Sequence, residues 1–155
     1  MLKNKFLSFS LFALITYSAS FIGAFATINF KDPWYSLLNK PYFNPPDWIF
    51  GPVWTTLYLM MTISIWLYWN SKNKNMKTVY IYFIHLIFNT TWSIVFFVFH
   101  NIVFALLILL ILISFIILLI KKFSNINKLS AYLLIPYLLW CLFALALNIS
   151  LIILN

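Results

Sequence analysis

A set of polar and aromatic side chains at helical spacing lies inside an apolar stretch of this chain. His85, Asn89, Trp92 and Phe96 recur at intervals of four, three and four residues, which places them on one face of a helix. An amide and an indole on such a face offer hydrogen bonds and a flat ring surface to a small molecule. The pattern therefore indicates a binding surface.

Two further apolar stretches carry comparable faces, formed by Trp54, Tyr58 and Met61 in one and by Pro136, Trp140, Ala144 and Asn148 in the other. Gathered around a common centre, the three faces would line an apolar pocket with a few polar contacts. Plainer interpretations stay open at this point. An asparagine in a membrane span often only bonds a neighbouring helix, which applies to Asn89 and Asn148. A buried histidine such as His85 is more often hydrogen-bonded than a metal ligand.

Residues for hydrolytic or phosphoryl-transfer chemistry are missing from the sequence. The chain has two acidic side chains, Asp32 and Asp47, and both lie in one polar segment. No nucleophile stands beside a base, no cluster has metal-ligand spacing, and two glycines are too few for a phosphate-binding loop. The sequence predicts neither a metal site nor a required cofactor.

The composition identifies the solvent of these elements as lipid. Of 155 residues, 65% are apolar and 8% are charged, whereas soluble domains average roughly 45–50% and 25%. A membrane-spanning helix needs about 20 mainly apolar residues. Five such stretches are present, at residues 6–30, 48–69, 78–99, 102–120 and 130–154. The predicted fold is an all-α membrane protein, with a single domain over residues 1–155 and a five-transmembrane-helix bundle.

The connections predict the orientation of the bundle. The first connection, residues 31–47 and called loop 1 below, is rich in proline and has room for a short helix within residues 34–39. Eight of the ten lysines lie at the N-terminus and in the second and fourth connections, so the N-terminus is expected inside and the C-terminus outside. Lysines placed between spans favour membrane anchoring over nucleic-acid binding. The asparagine- and isoleucine-rich composition suits a bacterial cytoplasmic membrane.

The first span also carries a stripe of small residues, Ala19, Gly23 and Thr27, suited to close helix packing. The sequence leaves open whether this stripe packs within one chain or between two chains.

Three ordered blocks resemble the TspO/MBR family of membrane proteins. They are WYSLLNKPYFNPPDWIFGPVWTTLYLMM at residues 34–61, FNTTWSIVFF at residues 88–97 and LLIPYLLWCLFALALNISLIILN at residues 133–155. The resemblance covers nearly the whole chain. It implies a five-helix bundle, commonly a homodimer, whose pocket opens toward loop 1 and binds tetrapyrroles such as protoporphyrin IX or haem.

The resemblance also implies roles for single residues. Light-dependent porphyrin breakdown in some bacterial members involves two tryptophans that match Trp54 and Trp140 here. Further pocket positions carry over to Tyr35, Pro45, Asn89, Trp92 and Ala144, and the helical faces add Tyr58, His85 and Asn148. His85 stands where many members have glutamine, and it is a conceivable ligand for haem iron. The expected function is porphyrin sensing, sequestration or transport, and the alternative is a lipid or sterol carrier using the same pocket.

Overall fold

The computed structural model describes residues 4–155 and is built from helices joined by short connections. Lys3, which contributes to the predicted charge bias, lies outside the described residues. The helices are α1 (Lys5–Phe30), α2 (Trp34–Leu37), α3 (Asp47–Trp69), α4 (Met76–Ser93), α5 (Ile102–Ser124), α6 (Lys128–Tyr132) and α7 (Ile135–Leu154), and α4 continues as a π-helical turn over Ile94–Val98. Five segments of the described chain are long and apolar enough to cross a membrane. This confirms the predicted five-helix architecture and the short helix in loop 1.

Two boundaries differ from the prediction. The fourth span was expected to end at residue 120, but α5 continues to Ser124. Lys121 and Lys122 therefore lie in its last turn, where the helix dipole favours cations.

The fifth span was expected to be continuous, but it divides into α6 and α7 at Leu133 and Leu134. Pro136 lacks an N–H and cannot donate to the carbonyl of Tyr132, so a helix through this point loses a hydrogen bond. Instead Pro136 lies in the first turn of α7. The backbone N–H groups of a first turn make no hydrogen bond within the helix, so proline is tolerated there.

Asparagine side chains close the exposed starts of four helices. Asn4, Asn75, Asn101 and Asn127 each accept a hydrogen bond from a backbone N–H in the first turn of α1, α4, α5 and α6. These N–H groups have no partner within the helix, and an Asn cap typically contributes about 1 kcal/mol. The caps also mark where each span leaves the apolar layer.

The small-residue stripe of α1 packs inside the chain. Ala19 and Gly23 are buried, and α1 contacts α3 and α4. A Cβ placed on Gly23 would lie 3.2 Å from the hydroxyl oxygen of Ser93. The question left open by the sequence is answered: this stripe brings α1 close to the end of α4 within one chain.

Gly23→Leu is expected to lower the unfolding free energy by about 2 kcal/mol, because a branched side chain has no room against Ser93. Ala24→Leu is the matched control, because Ala24 is exposed on the same helix. Denaturant unfolding in detergent micelles measures both variants. Equal stability of the two variants would show that α1 does not approach α4 as described.

Hydrogen bonds between spans hold the bundle interior. Thr16 and Tyr82 share a hydroxyl–hydroxyl bond of 2.8 Å between α1 and α4. Ser64 donates to the carbonyl of Ser130 at 2.7 Å, and Ser130 donates to the carbonyl of Ser64 at 2.6 Å. Each pair satisfies polar groups that lipid cannot satisfy, so the relative positions of α1, α3, α4 and α6 are well specified.

Candidate functional site

A buried hydrogen-bonded layer joins three spans at the centre of the bundle. Tyr58 of α3 donates to the Asn89 Oδ1 atom at 2.5 Å, and the Asn89 Nδ2 atom of α4 donates to the Tyr137 hydroxyl of α7 at 2.9 Å. All three residues are buried. We call this layer the clasp (Tyr58, Asn89 and Tyr137). One amide uses its acceptor and one of its donors to connect three helices.

Each clasp residue has a tryptophan one helical turn closer to loop 1. Trp54 precedes Tyr58 by four residues on α3, while Trp92 and Trp140 follow Asn89 and Tyr137 by three residues. Since α3 runs away from loop 1 and α4 and α7 run toward it, the three indoles lie on the same side of the clasp. We call them the indole tier (Trp54, Trp92 and Trp140), and all three are half-buried.

The rings of the tier pack on neighbouring aromatic residues. The Trp54 ring centroid lies 5.6 Å from that of Tyr58 and 6.2 Å from that of Tyr137. The Trp140 ring centroid lies 5.9 Å from that of Phe50 and 5.5 Å from that of Phe143. Because α7 packs chiefly on α5 and touches α3 little, these rings fill much of the seam between α3 and α7. Separation of this seam would expose flat aromatic surfaces from both helices.

Trp92 and Asn148 bring unpaired polar atoms toward the loop 1 half of the bundle. The Trp92 Nε1 atom and both polar side-chain atoms of Asn148 are buried and have no hydrogen-bond partner within the described chain. Most buried polar groups are paired, so such atoms call for an explanation. Ala144 lies between Trp140 and Asn148 on α7 and is half-buried.

His85 lies one turn from Asn89 in the opposite direction, away from loop 1. Its Nδ1 atom donates to the Tyr82 carbonyl at 2.7 Å, while its buried Nε2 atom has no partner in the described chain. The His85 and Tyr137 rings meet edge to face at 5.7 Å. The structure therefore places His85 behind the clasp and does not bring it together with the indole tier.

Loop 1 covers the end of the bundle nearest the tier. Tyr35 is buried, its hydroxyl donates to Asn44 Oδ1 at 3.1 Å, and the Lys40 ammonium lies 4.5 Å from its ring centroid. Burial raises the pKa of Tyr35, which keeps the phenol protonated as a donor. Pro45 is half-buried, and its carbonyl accepts from Asn44 at 3.1 Å. Both predicted loop residues are thus held in place by Asn44.

The π-helical end of α4 packs against loop 1. Phe96 and Phe97 are consecutive, yet both pack on the Tyr35 ring. Their ring centroids lie 6.1 and 6.0 Å from that of Tyr35. The wider turn over Ile94–Val98 is the local feature that accompanies this arrangement, and π turns recur at functional sites. His100 follows at φ 52°, and its ring stacks on Trp34 at 4.5 Å.

Polar ties anchor both ends of loop 1. Lys31 forms ion pairs with Asp47, at the start of α3, and with Asp32 at 3.6 Å. The backbone N–H of Asn39 donates to the Asn155 side chain at 2.9 Å, and the Asn155 amide donates to the Asn39 carbonyl at 3.1 Å. The second tie joins loop 1 to the last turn of α7.

The ion pairs predict how loop 1 responds to pH. The hydrogen bond to Asp47 raises the pKa of Lys31 above its ordinary value of 10.5. The stabilisation that charged Lys31 gives loop 1 is therefore complete below pH 10.5 and is lost as the pH rises through the raised pKa. The hydrogen bond from Ser36 and the charge of Lys31 lower the pKa of Asp32 below its ordinary value of 3.8. The stabilisation that the charged Asp32 carboxylate gives loop 1 is therefore present above pH 3.8 and is lost as the pH falls through the lowered pKa.

A spin label on Leu37→Cys, an exposed position in α2, should therefore be least mobile between pH 3.8 and pH 10.5, and its mobility should rise as the pH passes the lowered pKa of Asp32 or the raised pKa of Lys31. Exposed ion pairs are weak, so the expected change is partial. In the Lys31→Gln protein the label should be mobile at neutral pH already. A pH-independent spectrum in the unmodified loop would contradict the anchoring role of Lys31.

The central hollow predicted from the sequence is neither of the two surface grooves found in the described chain. Two shallow surface grooves, of about 340 and 370 Å³, lie elsewhere: one is lined by Leu14, Tyr17, Ser18, Phe21 and Ile22 of α1, and the other runs beside the turn between α4 and α5. Neither is lined by a clasp or tier residue. A ligand at the tier would have to part the aromatic rings between α3 and α7.

Tyr137 is the main site residue that the sequence prediction missed. The predicted face of α7 included Pro136, but Pro136 is exposed and the buried face carries Tyr137, Cys141 and Asn148. Pro136 therefore lies off the buried face of α7, whereas Asn148 lies on it. A usable signal existed, because Tyr137, Cys141 and Asn148 are spaced by four and seven residues, which marks one helical face.

The clasp and the indole tier consist of phenols, an amide and indoles, and neither carboxylate side chain of the chain belongs to them. Asp32 and Asp47 both lie at loop 1, outside the clasp and tier. Within the described chain no group of three or more His, Cys, Asp or Glu side chains is placed to hold a metal ion. The available interactions are aromatic stacking, indole and amide hydrogen bonds, and lysine charges at loop 1.

Known proteins are similar to this chain in sequence. Residues 11–154 match the model of the TspO/MBR family. The chain is similar to the tryptophan-rich protein TspO of Archaeoglobus fulgidus, with 38% identity over 92% of this chain and 93% of the relative. It is also similar to the tryptophan-rich protein TspO of Chlorobaculum tepidum, with 32% identity over 99% of each chain.

Similarity extends to the human translocator protein, with 34% identity over 74% of this chain and 70% of the relative. The chain is an integral membrane protein that belongs to the TspO/MBR family.

Proposed function

We propose that this protein binds a tetrapyrrole, such as protoporphyrin IX or haem, at the indole tier beneath loop 1. The observation that carries the proposal is the placement of three indoles one turn above a buried clasp on three different helices. A porphyrin is a flat aromatic system, and Trp54 and Trp140 offer rings from opposite sides of the α3–α7 seam. Such a site combines an apolar wall with few polar groups, as ligand sites commonly do.

The polar edge of the ligand has candidate partners. The unpaired Trp92 Nε1 and Asn148 Nδ2 atoms suit a carboxylate or carbonyl oxygen, and Asn148 Oδ1 suits a pyrrole N–H. The Lys40 ammonium, now over the Tyr35 ring, is available to pair with a propionate at the mouth of the site. Tyr35 and Pro45 would then form the cover.

The biological role that fits this site is porphyrin sensing, sequestration or transport. Light-dependent porphyrin breakdown would use Trp54 and Trp140 as electron donors to the excited ring, and it would require loss of the porphyrin spectrum under illumination. The lysine distribution supports an N-terminus on the inner side of a bacterial cytoplasmic membrane. A homodimer is proposed from the family resemblance.

Titration of the purified protein with protoporphyrin IX tests the proposal. We expect quenching of tryptophan fluorescence with a dissociation constant of about 1 µM, or roughly 8 kcal/mol. A sterol should not displace the porphyrin. Competitive displacement by the sterol at similar concentration would favour the alternative of a lipid or sterol carrier, and absence of quenching would contradict tetrapyrrole binding.

A further inference from the structure

Charge is separated between the two ends of the bundle. The chain has only two acidic side chains, Asp32 and Asp47, and both belong to loop 1. The opposite end, which we call the basic end, carries Lys5, Lys72, Lys74, Lys77, Lys121, Lys122 and Lys128. No carboxylate side chain of the chain is available there to neutralise these lysines.

The lysines of the basic end are held on a connected platform. The Trp66 indole donates to the Lys5 carbonyl at 3.1 Å, which joins the end of α3 to the start of α1. Tyr68 stacks on Phe123 at 4.3 Å, and Asn127 donates to the Ser71 hydroxyl at 3.5 Å. These contacts bring the α3–α4 connection and the α5–α6 connection together, so their lysines form one patch.

The helices themselves do not account for all of these charges. Lys121 and Lys122 lie at the C-terminal end of α5, where the helix dipole favours them. Lys77 lies in the first turn of α4, where the dipole disfavours a cation. An anion bound from outside the chain would stabilise the positive charge at all three lysines.

Aromatic side chains place the edge of the membrane next to this patch. Tyr80 and Tyr132 are exposed, at 59% and 60%, and Trp66 and Trp69 are half-buried. The Lys74 ammonium lies 5.0 Å from the Trp69 ring centroid. Exposed Tyr and Trp residues mark the level of lipid headgroups, so the lysines lie where phosphate groups are found.

We propose that the basic end binds the headgroups of anionic phospholipids, with Lys72, Lys74, Lys121 and Lys122 as the main contacts. Basic clusters directly beside a span are suited to this ligand. A lipid is favoured over a soluble polyanion because the patch lies next to exposed aromatic residues of the kind that mark the level of lipid headgroups. The site lies at the end of the bundle opposite loop 1, so it is independent of tetrapyrrole binding.

The experiment uses the full chain in nanodiscs of nine parts phosphatidylcholine to one part phosphatidylglycerol. Native mass spectrometry after gentle release counts the lipids that remain bound. We expect phosphatidylglycerol to be enriched about fivefold over the bulk ratio, since one lysine contact near the surface favours it by about that factor. The Lys72→Gln, Lys74→Gln, Lys121→Gln, Lys122→Gln protein should return to the bulk ratio.

Two control proteins separate charge from other effects. Arginine at the same four positions keeps the charge and should keep the enrichment. Lys40→Gln changes a lysine at the opposite end and should also keep it. Enrichment that survives in the four-glutamine protein, or that disappears in Lys40→Gln, would overturn the proposal. So would displacement of phosphatidylglycerol by soluble polyphosphate at equal phosphate concentration, because that result assigns the patch to a soluble polyanion.

Discussion

Asn89→Leu is expected to lower the unfolding free energy by about 3 kcal/mol and to abolish high-affinity porphyrin binding. The substitution leaves the Tyr58 and Tyr137 hydroxyls without their partner in the middle of the bundle. An unpaired buried polar group costs about 1–3 kcal/mol, and lipid offers no replacement. Unfolding by sodium dodecyl sulfate in bicelles measures the stability change.

Three variants make the Asn89 result specific. Tyr58→Phe and Tyr137→Phe each remove one hydrogen bond of the clasp, so each should lower stability by about 1 kcal/mol. Ser114→Leu is the matched control, because Ser114 lies on α5 and bonds only the Leu110 carbonyl of its own helix. An Asn89→Leu protein as stable as Ser114→Leu would show that the clasp does not connect the three spans.

Replacing Trp54 and Trp140 together with alanine is expected to weaken protoporphyrin binding roughly 100-fold. Each indole provides a flat contact worth about 1.4 kcal/mol, and each such contact changes affinity about tenfold. The loss of two half-buried rings should leave the clasp and the fold in place. Porphyrin absorbance in equilibrium dialysis is the suitable readout, because it does not depend on tryptophan fluorescence.

Trp48→Ala provides the control for the two tryptophans. Trp48 lies on α3 as Trp54 does, but it is 74% exposed. Its removal should leave the affinity unchanged. Unchanged affinity in the Trp54→Ala, Trp140→Ala protein would place the ligand elsewhere on the molecule.

Much of the fold follows from the sequence, because hydrophobic length and residue spacing set it directly. Five apolar stretches of spanning length required five helices, and the proline-rich segment before Asp47 required a break. The spacing of His85, Asn89 and Trp92 placed them on one face of α4. These are local properties, so they remain true whatever the neighbouring helices do.

Residue spacing did not predict which face of α7 is buried. The chain breaks at Leu133 and Leu134 and starts a new helix just before Pro136. The face that α7 presents then depends on its packing against α5, which turned Tyr137 inward and Pro136 outward. The hydrogen bonds between Asn39 and Asn155 could not be predicted from spacing either, because the two residues are 116 positions apart in the sequence.

The packing of the indole tier is a further feature that spacing does not describe. Residue positions predicted on which helical faces the indoles lie, but not the contacts of Trp140 with Phe50 and Phe143. We expect ligand binding to separate the loop 1 ends of α3 and α7 while the clasp stays intact.

A structure of the protein with protoporphyrin IX bound would show whether the ligand lies at the indole tier. We expect porphyrin density in contact with Trp54 and Trp140, on the loop 1 side of the Asn89 amide, with α3 and α7 moved apart. Porphyrin seated in the groove beside Leu14 and Phe21 of α1, with the tier still packed as described here, would contradict it.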